Sequence, residues 1–352
     1  MHLHCQQVVE FGAPLEARDY PAPEPQGTEI LIKIDACGVC HSDLHLWEGY
    51  FDLGNGMKLD LADRGMSLPF TMGHEIVGEV IAVGPDVEGV EIGDKRIVFP
   101  WIGCGKCPVC QAGDELYCNN PLTLGTRYNG GYADMVIAPH PKYLIPYDGV
   151  PTELACTYAC SGLTAYSALK KLSHLTEDDH VVIIGAGGVG LSAVHFASSV
   201  LKAKIIVADI DDTKRAVARQ AGVFDTIDNS DPTALEKLME ITGGGAAGAI
   251  DFVGAPASAQ FGMNGLRKGG TYVCVGLFGG AAPVPLPVLP LTMRTITGSY
   301  VGTLDEMHEL MELVRLGKIA PIPYETRPLE EANNALEDLR DGKVKGRVVL
   351  KP

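Results

Sequence analysis

The sequence predicts an α/β protein in which a doubly wound parallel sheet of the Rossmann type is joined to a second, β-rich domain. From about residue 180 onward, short apolar runs alternate with helix-like segments, a rhythm typical of a parallel sheet with helices on both faces. Residues 1–150 instead carry short apolar runs separated by glycine and proline turns. The length of 352 residues is sufficient for two domains with substantial cores.

The individual elements follow from the same patterns. Apolar runs at 30–34 and 76–83 predict strands in the β-rich part. Four strands of the parallel sheet are expected at 181–184, 205–208, 249–253 and 271–275. Helices are expected to fill the sequence between the later strands, near 212–221, 232–241 and 256–266.

The C-terminal part is expected to leave the sheet and return to the first domain. The stretch 281–290 contains four prolines, which argue against a helix or a central strand because proline lacks a backbone N–H. Amphipathic helices are expected at 304–316 and 329–340, and a last strand at 346–350.

The charge and the cysteine content restrict the class of protein. The formal charge is −16, from 28 Lys and Arg against 44 Asp and Glu, which argues against nucleic acid and anionic membranes as partners. No apolar run approaches about 18 residues, and residues 1–6 lack the apolar core of a signal peptide. A cytoplasmic protein is therefore expected. Because disulfides are rare in that compartment, its ten cysteines need another explanation.

A glycine-rich loop predicts a dinucleotide site. Residues 185–190 read Gly-Ala-Gly-Gly-Val-Gly, follow an apolar run and open a helix-like stretch. Asp209 stands nineteen residues beyond the last glycine, at the end of the next apolar run. The alternative is a tight glycine turn in an ordinary α/β domain. The predicted cofactor contacts are Gly185, Gly187, Gly188, Val189, Gly190, Asp209 and Lys214.

The residues around Asp209 favour NAD over NADP. Its carboxylate can accept hydrogen bonds from the adenosine ribose and would repel a 2′-phosphate. The residues at 210–212 supply no arginine to offset that repulsion, although Lys214 lies just beyond. The alternative for Asp209 is a solvated acid at a strand end.

Four cysteines have the spacing C-x2-C-x2-C-x7-C, which predicts a structural zinc site. Four thiolates within fifteen residues can form a closed tetrahedron around the metal. A disulfide pair and an iron–sulfur cluster are the alternatives. The predicted ligands are Cys104, Cys107, Cys110 and Cys118.

Three other segments carry residues that suit an open zinc site with two cysteines and one histidine. They read Gly-Val-Cys-His-Ser-Asp-Leu-His at 38–45, Gly-His-Glu at 73–75 and Cys-Ser-Gly at 160–162. Taken singly, each such residue is more often a buried thiol or a surface imidazole. Only their combination favours a metal.

With these motifs the chain resembles the zinc-dependent alcohol dehydrogenases of the medium-chain dehydrogenase/reductase superfamily. The similarity covers almost the whole length and includes GVCHSD, GHE, the four-cysteine lobe, CSGLTAY, GAGGVG, GSYVG and GRVVL. It implies a GroES-like catalytic domain from 1–154 and 294–352, with a zinc lobe at about 100–120, and a Rossmann domain at 155–293. The chain is most similar to the tetrameric bacterial and archaeal branch, so a homotetramer is expected, with a dimer as the alternative.

The resemblance also implies individual roles. Zinc would bind an alcohol oxygen and lower its pKa, and NAD would accept the hydride, so two zinc ions per chain and NAD are expected. The resemblance leaves Cys5, Cys37, Cys156 and Cys274 without a role. The roles that it implies are as follows: Cys40, His74 and Cys160 as catalytic zinc ligands, Asp43 as the acid that fixes a ligand histidine, Glu75 behind the zinc, Ser42 and His45 as a proton relay ending at the surface, and His41 and Arg347 as pyrophosphate contacts.

The substrate is expected to be a primary or secondary alcohol of medium size and apolar character. Extra residues at 50–68 lie where related families shape the substrate cleft, and Thr123 stands where relatives can carry a bulky aromatic. The aromatic residues have core packing as their alternative role. The residues expected near the cleft are the aromatic Trp47, Tyr50, Phe51 and Trp101, and Leu124.

Three other functions compete with this one. Polyol dehydrogenases of the same superfamily often replace the third cysteine ligand by glutamate, which Cys160 argues against. A zinc-free quinone or enoyl reductase is disfavoured because both ligand sets look complete. A non-catalytic NAD- or zinc-binding protein would have lost Cys40, His74, Ser42 or His45.

Overall fold

The computed structural model describes all 352 residues, which form seventeen strands and eleven α-helices. The strands are β1 His2–Gln7, β2 Glu16–Pro21, β3 Ile30–Val39, β4 Tyr50–Gly54, β5 Met57–Asp60, β6 Glu75–Val83, β7 Lys95–Val98, β8 Met135–Ala138, β9 Leu144–Ile145, β10 His180–Ile184, β11 Lys204–Ala208, β12 Asp225–Ile227, β13 Ala246–Asp251, β14 Leu266–Cys274, β15 Thr295–Gly298, β16 Tyr324–Pro328 and β17 Arg347–Lys351. The helices are α1 His41–Glu48, α2 Pro108–Gln111, α3 Thr152–Thr157, α4 Leu163–Lys170, α5 Gly188–Val200, α6 Asp212–Gln220, α7 Ala234–Thr242, α8 Pro256–Asn264, α9 Val288–Thr292, α10 Leu304–Arg315 and α11 Ala332–Arg340.

Six strands form one parallel sheet in the order β12-β11-β10-β13-β14-β15. Successive residues of β10 pack into different cores: Val181 and Ile183 belong to the larger buried cluster, and Val182 and Ile184 to a smaller one. This alternation is what a parallel sheet with helices on both faces requires. The predicted Rossmann architecture is confirmed.

A second sheet of seven strands combines β3 and β6–β9 of the N-terminal part with the last two strands of the chain, while β1–β2 and β4–β5 form separate two-stranded sheets. Its order is β16-β17-β3-β6-β7-β9, with β8 also paired to β3. Strand β17 runs antiparallel to β3 and pairs Val348 with Val39. The predicted return of the last strand to the first domain is confirmed, and it places Arg347 beside the residues that precede α1.

Two expectations need correction. The proline-rich stretch does contain a helix, α9, at 288–292, because Pro290 lies in its first turn, where no backbone N–H is needed. The parallel sheet also continues beyond residue 293, since β15 at 295–298 pairs with β14. The division into domains stays a proposal, with the sheet extending a few residues past the expected boundary. No helix combines the length and apolar character that crossing a bilayer requires.

Candidate active site

The glycine-rich loop joins β10 to α5 with a backbone that other residues would not allow. Gly185 has a φ of +86°, in the left-handed region that favours glycine. A Cβ at Gly190 would lie 1.8 Å from the carbonyl oxygen of Gly185, so α5 can pack this close to the loop only with glycine there. Gly187 caps α5 and has open space around it. The N–H groups of the first helical turn are therefore accessible to an anion.

One cavity, of about 500 Å³, is lined by both the predicted cofactor residues and most of the residues expected at the reaction centre. On the cofactor side the predicted residues are Gly185, Gly187, Gly188, Val189, Gly190, Asp209, Lys214 and Arg347. On the other side they are Cys40, His41, Ser42, His45 and Cys160. The fold thus brings the ends of β10 and β11 to the same cavity as the start of α1.

Asp209 is buried and held by the backbone. One carboxylate oxygen accepts a hydrogen bond from the amide of Ala186 at 2.7 Å, and the other accepts one from the amide of Asp211 at 2.9 Å. Each oxygen retains a second lone pair for another donor. The carboxylate is therefore fixed in position at the cavity wall before any ligand binds.

Three distant segments bring the side chains of Cys40, His74 and Cys160 together. Cys40 is the N-cap of α1, His74 immediately precedes β6, and Cys160 lies in a π-helical turn between α3 and α4. The ligand atoms of all three lie within 4.8 Å of one another, and all three residues are buried. Hydrogen bonding to Cys160, supported by His74, holds the pKa of Cys40 well below its usual range, and the same bond raises the pKa of Cys160.

Asp43 lies against the histidine of this group. Its Oδ1 is 3.2 Å from Nδ1 of His74, and its Oδ2 accepts hydrogen bonds from the amide of Cys40 at 2.9 Å and the hydroxyl of Tyr132 at 3.2 Å. Burial alone would lower the pKa of His74, but Asp43 and Cys40 raise it well above its usual value. Both ring nitrogens of His74 are buried without a hydrogen bond, and because Nδ1 lies beside Asp43, Nε2 is the nitrogen that a metal would use.

The four cysteines of the lobe at 104–118 also converge. Their sulfur atoms lie within 4.8 Å of one another. Tetrahedral zinc with bonds of about 2.3 Å to sulfur places sulfur atoms about 3.8 Å apart. The separation is 3.9 Å between Cys104 and Cys110, 3.4 Å between Cys107 and Cys110, and 3.9 Å between Cys107 and Cys118. Cys40 and Cys160 are also 3.9 Å apart, so both groups fit zinc.

Backbone amides of the lobe donate hydrogen bonds to cysteine sulfur atoms, which stabilises the thiolate form. The amide of Cys107 donates to the sulfur of Cys104 at 3.4 Å, and the amide of Cys110 donates to the sulfur of Cys107 at 3.5 Å. Hydrogen bonds from the amides of Lys106 and Cys107 lower the pKa of Cys104 to about 6. A thiolate is the form that binds zinc.

A buried ion pair connects the metal group with the glycine loop. Nη2 of Arg347 is paired with Oε2 of Glu75. The other carboxylate oxygen of Glu75 accepts a hydrogen bond from the amide of Ser161 at 3.0 Å. Burial raises the pKa of Glu75, and Arg347 offsets this only in part. A Cβ at Gly188 would lie 3.0 Å from Cδ of Arg347, so this side chain borders the loop.

Comparisons with known proteins agree with this geometry. The sequence matches the alcohol dehydrogenase GroES-like domain over residues 26–149 and the zinc-binding dehydrogenase domain over residues 188–315. It is 38% identical over 352 residues to an NAD-dependent alcohol dehydrogenase of Sulfurisphaera tokodaii, covering 99% of this chain and 100% of the relative. A similar enzyme of Saccharolobus solfataricus is 37% identical, again with 99% and 100% coverage.

The chain belongs to the zinc-dependent alcohol dehydrogenases of the medium-chain dehydrogenase/reductase superfamily. The crystal structure of an alcohol dehydrogenase from Aeropyrum pernix superposes with a TM-score of 0.88 at 31% identity, covering 99% of this chain and all of the other.

The expectation that His45 lies at the surface of this alcohol dehydrogenase is wrong. The residue is only 9% exposed, and its ring packs against Phe51 with 4.7 Å between ring centroids. The hairpin of β4 and β5 supplies Phe51, so the extra residues after 50 cover the histidine. His45 still lines the cavity, Ser42 lines the same cavity, and Nε2 of His45 has no hydrogen-bond partner. Burial lowers the pKa of His45 below its usual value.

A second cavity of the dehydrogenase, about 670 Å³, lies next to the first and includes some of the predicted substrate residues. Phe51, Trp101 and Thr123 line it, as expected. The ring of Trp101 also lies 5.3 Å from that of His74, between the cavity and the metal group.

Three other residues expected near the cleft lie elsewhere. Trp47 is buried, donates its indole N–H to the carbonyl of Ala13 at 2.6 Å and lies outside both cavities, because this face of α1 packs inward. Tyr50 lies under Lys58 within the hairpin, and Leu124 lines a different cavity. For Trp47, core packing was the correct alternative.

Tyr300 is a site residue that the sequence reasoning did not assign. It lines both cavities and packs edge-on against Trp101 with 5.6 Å between ring centroids. The signal was present in the GSYVG motif, which contributed to the resemblance without receiving a role.

Proposed function

We propose that this protein is an NAD-dependent enzyme that converts a medium-sized, mainly apolar primary or secondary alcohol into an aldehyde or ketone, and the reverse. The observation that carries the proposal is the single cavity that contains the glycine loop, Asp209, Cys40 and Cys160. NAD reduction across alcohols of graded size tests it. Activity that rises from ethanol toward larger apolar alcohols supports the proposal, and no NAD reduction with any of them contradicts it.

In this proposal Cys40, His74 and Cys160 hold the catalytic zinc. Zinc bound there would supply a Lewis acid that lowers the pKa of the alcohol hydroxyl, and bound NAD would supply the hydride acceptor. Asp43 keeps the His74 ring oriented through Nδ1. Glu75 balances the charge of Arg347, and Arg347 and His41, which line the same cavity as the glycine loop, would contact the cofactor pyrophosphate. The four cysteines of the lobe would hold a second, structural zinc.

The chain supplies the path for the proton. Ser42 accepts the proton of the substrate hydroxyl and passes it toward His45. Because burial lowers the pKa of His45, its imidazole is neutral around pH 7 and can accept that proton. The relay thus ends on a buried ring at the cavity wall instead of at the open surface.

His45→Gln is expected to slow alcohol oxidation about tenfold near pH 7 and to approach the parent at high pH, where hydroxide replaces the relay. Since the pKa of His45 lies below the usual value, the parental rate is expected to fall only as the pH drops through that lower pKa. The pH profile of kcat measures both effects, with imidazole rescue as a second readout. A loss by the same factor at every pH would assign His45 to packing.

Asp209→Gly is expected to weaken NAD binding about tenfold and to improve the relative use of NADP. The substitution removes both the hydrogen-bond acceptor for the ribose and the repulsion of a 2′-phosphate. Adding Ile210→Arg should shift the preference further. The readout is the ratio of kcat/KM for NAD and NADP. Asp212→Asn, at the exposed start of α6, is the control and should leave the ratio unchanged. An unchanged ratio in the double variant would remove Asp209 from this role.

We also propose a homotetramer, with a dimer as the alternative. Strand β15 lies at the edge of the parallel sheet and exposes Ile296, and the segment that precedes it exposes Leu286 and Leu291. Unpaired strand edges and exposed apolar patches are typical of subunit interfaces. The cytoplasmic location stays a prediction from the sequence.

A further inference from the structure

The second cavity continues from the proposed reaction centre and is large enough for more than a simple alcohol. Ser42, Trp101, Leu277 and Tyr300 line both cavities, so the two spaces adjoin at these residues. A volume of about 670 Å³ is in the range of sites that hold small organic ligands.

Two arginines, Arg64 and Arg127, line only the second cavity, and both lack an acidic partner. Of the twelve arginines in the chain, only Arg64, Arg127 and Arg294 have no carboxylate within 4.0 Å. The chain has an excess of acids, 44 against 28 basic residues, so a free guanidinium is the exception here. Two of the three exceptions share one cavity.

The acids in this cavity do not neutralise the two arginines. Glu115 is occupied by Lys142 at 2.5 Å, the hydroxyl of Tyr143 at 2.7 Å and the amide of Gly103 at 2.8 Å. Asp63 also lines the cavity but forms no ion pair with either arginine. The cavity therefore presents two guanidinium groups without an acidic partner and one carboxylate, Asp63, without a basic partner.

The Arg127 side chain is anchored to the backbone of Arg64. Arg127 donates from Nη2 to the backbone carbonyl of Arg64 at 3.3 Å, and no side-chain hydrogen bond occupies the guanidinium of Arg64. Much of the remaining lining is apolar and includes Phe51, Leu59, Leu61, Met66 and Leu116.

We infer that the substrate is an alcohol whose apolar chain carries a carboxylate, which Arg64 and Arg127 bind while the hydroxyl reaches Ser42. A guanidinium binds a carboxylate through two parallel hydrogen bonds, and the apolar walls suit the spacer between the two ends. This inference rests on the proposed function and adds a substrate class to it.

Three substrates of similar length test the inference: 6-hydroxyhexanoate, its methyl ester and 1-hexanol. The wild-type protein is expected to have a kcat/KM about tenfold higher for the acid than for the ester, because the ester lacks the charge. Arg64→Gln and Arg127→Gln should each remove most of this preference and leave the kcat/KM for 1-hexanol unchanged. Arg294→Gln, the third unpaired arginine, is the control and should retain the preference. Added salt should reduce it in the wild type, because it screens the accessible charges.

The outcomes separate the inference from the proposed function. Oxidation of 1-hexanol without preference for the acid would overturn the inference and leave the proposed function intact. If no alcohol is oxidised, the proposed function fails, and binding then decides the inference through tryptophan fluorescence, since Trp101 lines the cavity. Tighter binding of the acid than of the ester, lost in Arg127→Gln, supports the arginine site. Equal binding of the two contradicts it.

Discussion

Cys40→Ala is expected to reduce NAD-linked alcohol oxidation by about a thousandfold or more while leaving the protein folded. The sulfur of Cys40 lies 3.9 Å from that of Cys160 and within 4.8 Å of the ligand nitrogen of His74. Its loss would therefore remove one of the three ligands of the metal group. Electrophilic stabilisation by a metal contributes several kcal/mol, and each 1.36 kcal/mol is about tenfold in rate.

A neighbouring cysteine provides the matched control for this variant. Cys37 lies three residues earlier in β3, is fully buried and is not among the converging ligands. Cys37→Ala should therefore retain most of the activity and the catalytic zinc. A Cys40→Ala protein with activity comparable to that of Cys37→Ala would exclude Cys40 as a metal ligand.

Cys107→Ala is expected to lower the stability of the protein much more than its active-site counterpart Cys40→Ala does. The lobe at 104–118 has little regular structure, with only the four-residue helix α2 and one 3₁₀ turn, so zinc bound by its cysteines is expected to supply much of its stability. Because structural zinc contributes folding free energy, we expect Tm to fall by about 10 °C and zinc to fall by about one ion per chain.

Cys274→Ala is the control for stability. Cys274 lies at the end of β14 and belongs to neither ligand group. It should leave the zinc content unchanged and shift Tm by no more than a few degrees. Heat stability of Cys107→Ala equal to that of the parent would contradict the structural role of the lobe.

The parts of the site that the sequence predicts best are local in the chain. The glycine loop with Asp209 and the four-cysteine lobe are recognisable because spacing within one segment determines their geometry. Cys40, His74 and Cys160 come from three distant segments, and spacing alone does not bring them together. Their grouping was implied only by resemblance.

The remaining differences arise from tertiary packing that local patterns do not encode. The burial of His45 depends on Phe51, which the β4–β5 hairpin places over the ring. The inward orientation of the Trp47 side chain depends on the packing of α1 against the N-terminal segment, where the indole N–H donates to the carbonyl of Ala13. The inferred role of Arg64 and Arg127 depends on their guanidinium groups having no carboxylate partner in the fold, which no motif records.

The zinc content of the purified protein, measured together with its NAD-dependent alcohol oxidation, tests the central proposal most directly. The two ligand groups predict about two zinc ions per chain in fully active protein. Removal of one ion by a chelator should abolish activity when the ion comes from the group of Cys40, His74 and Cys160. Full activity in protein with one zinc or none would contradict the proposal.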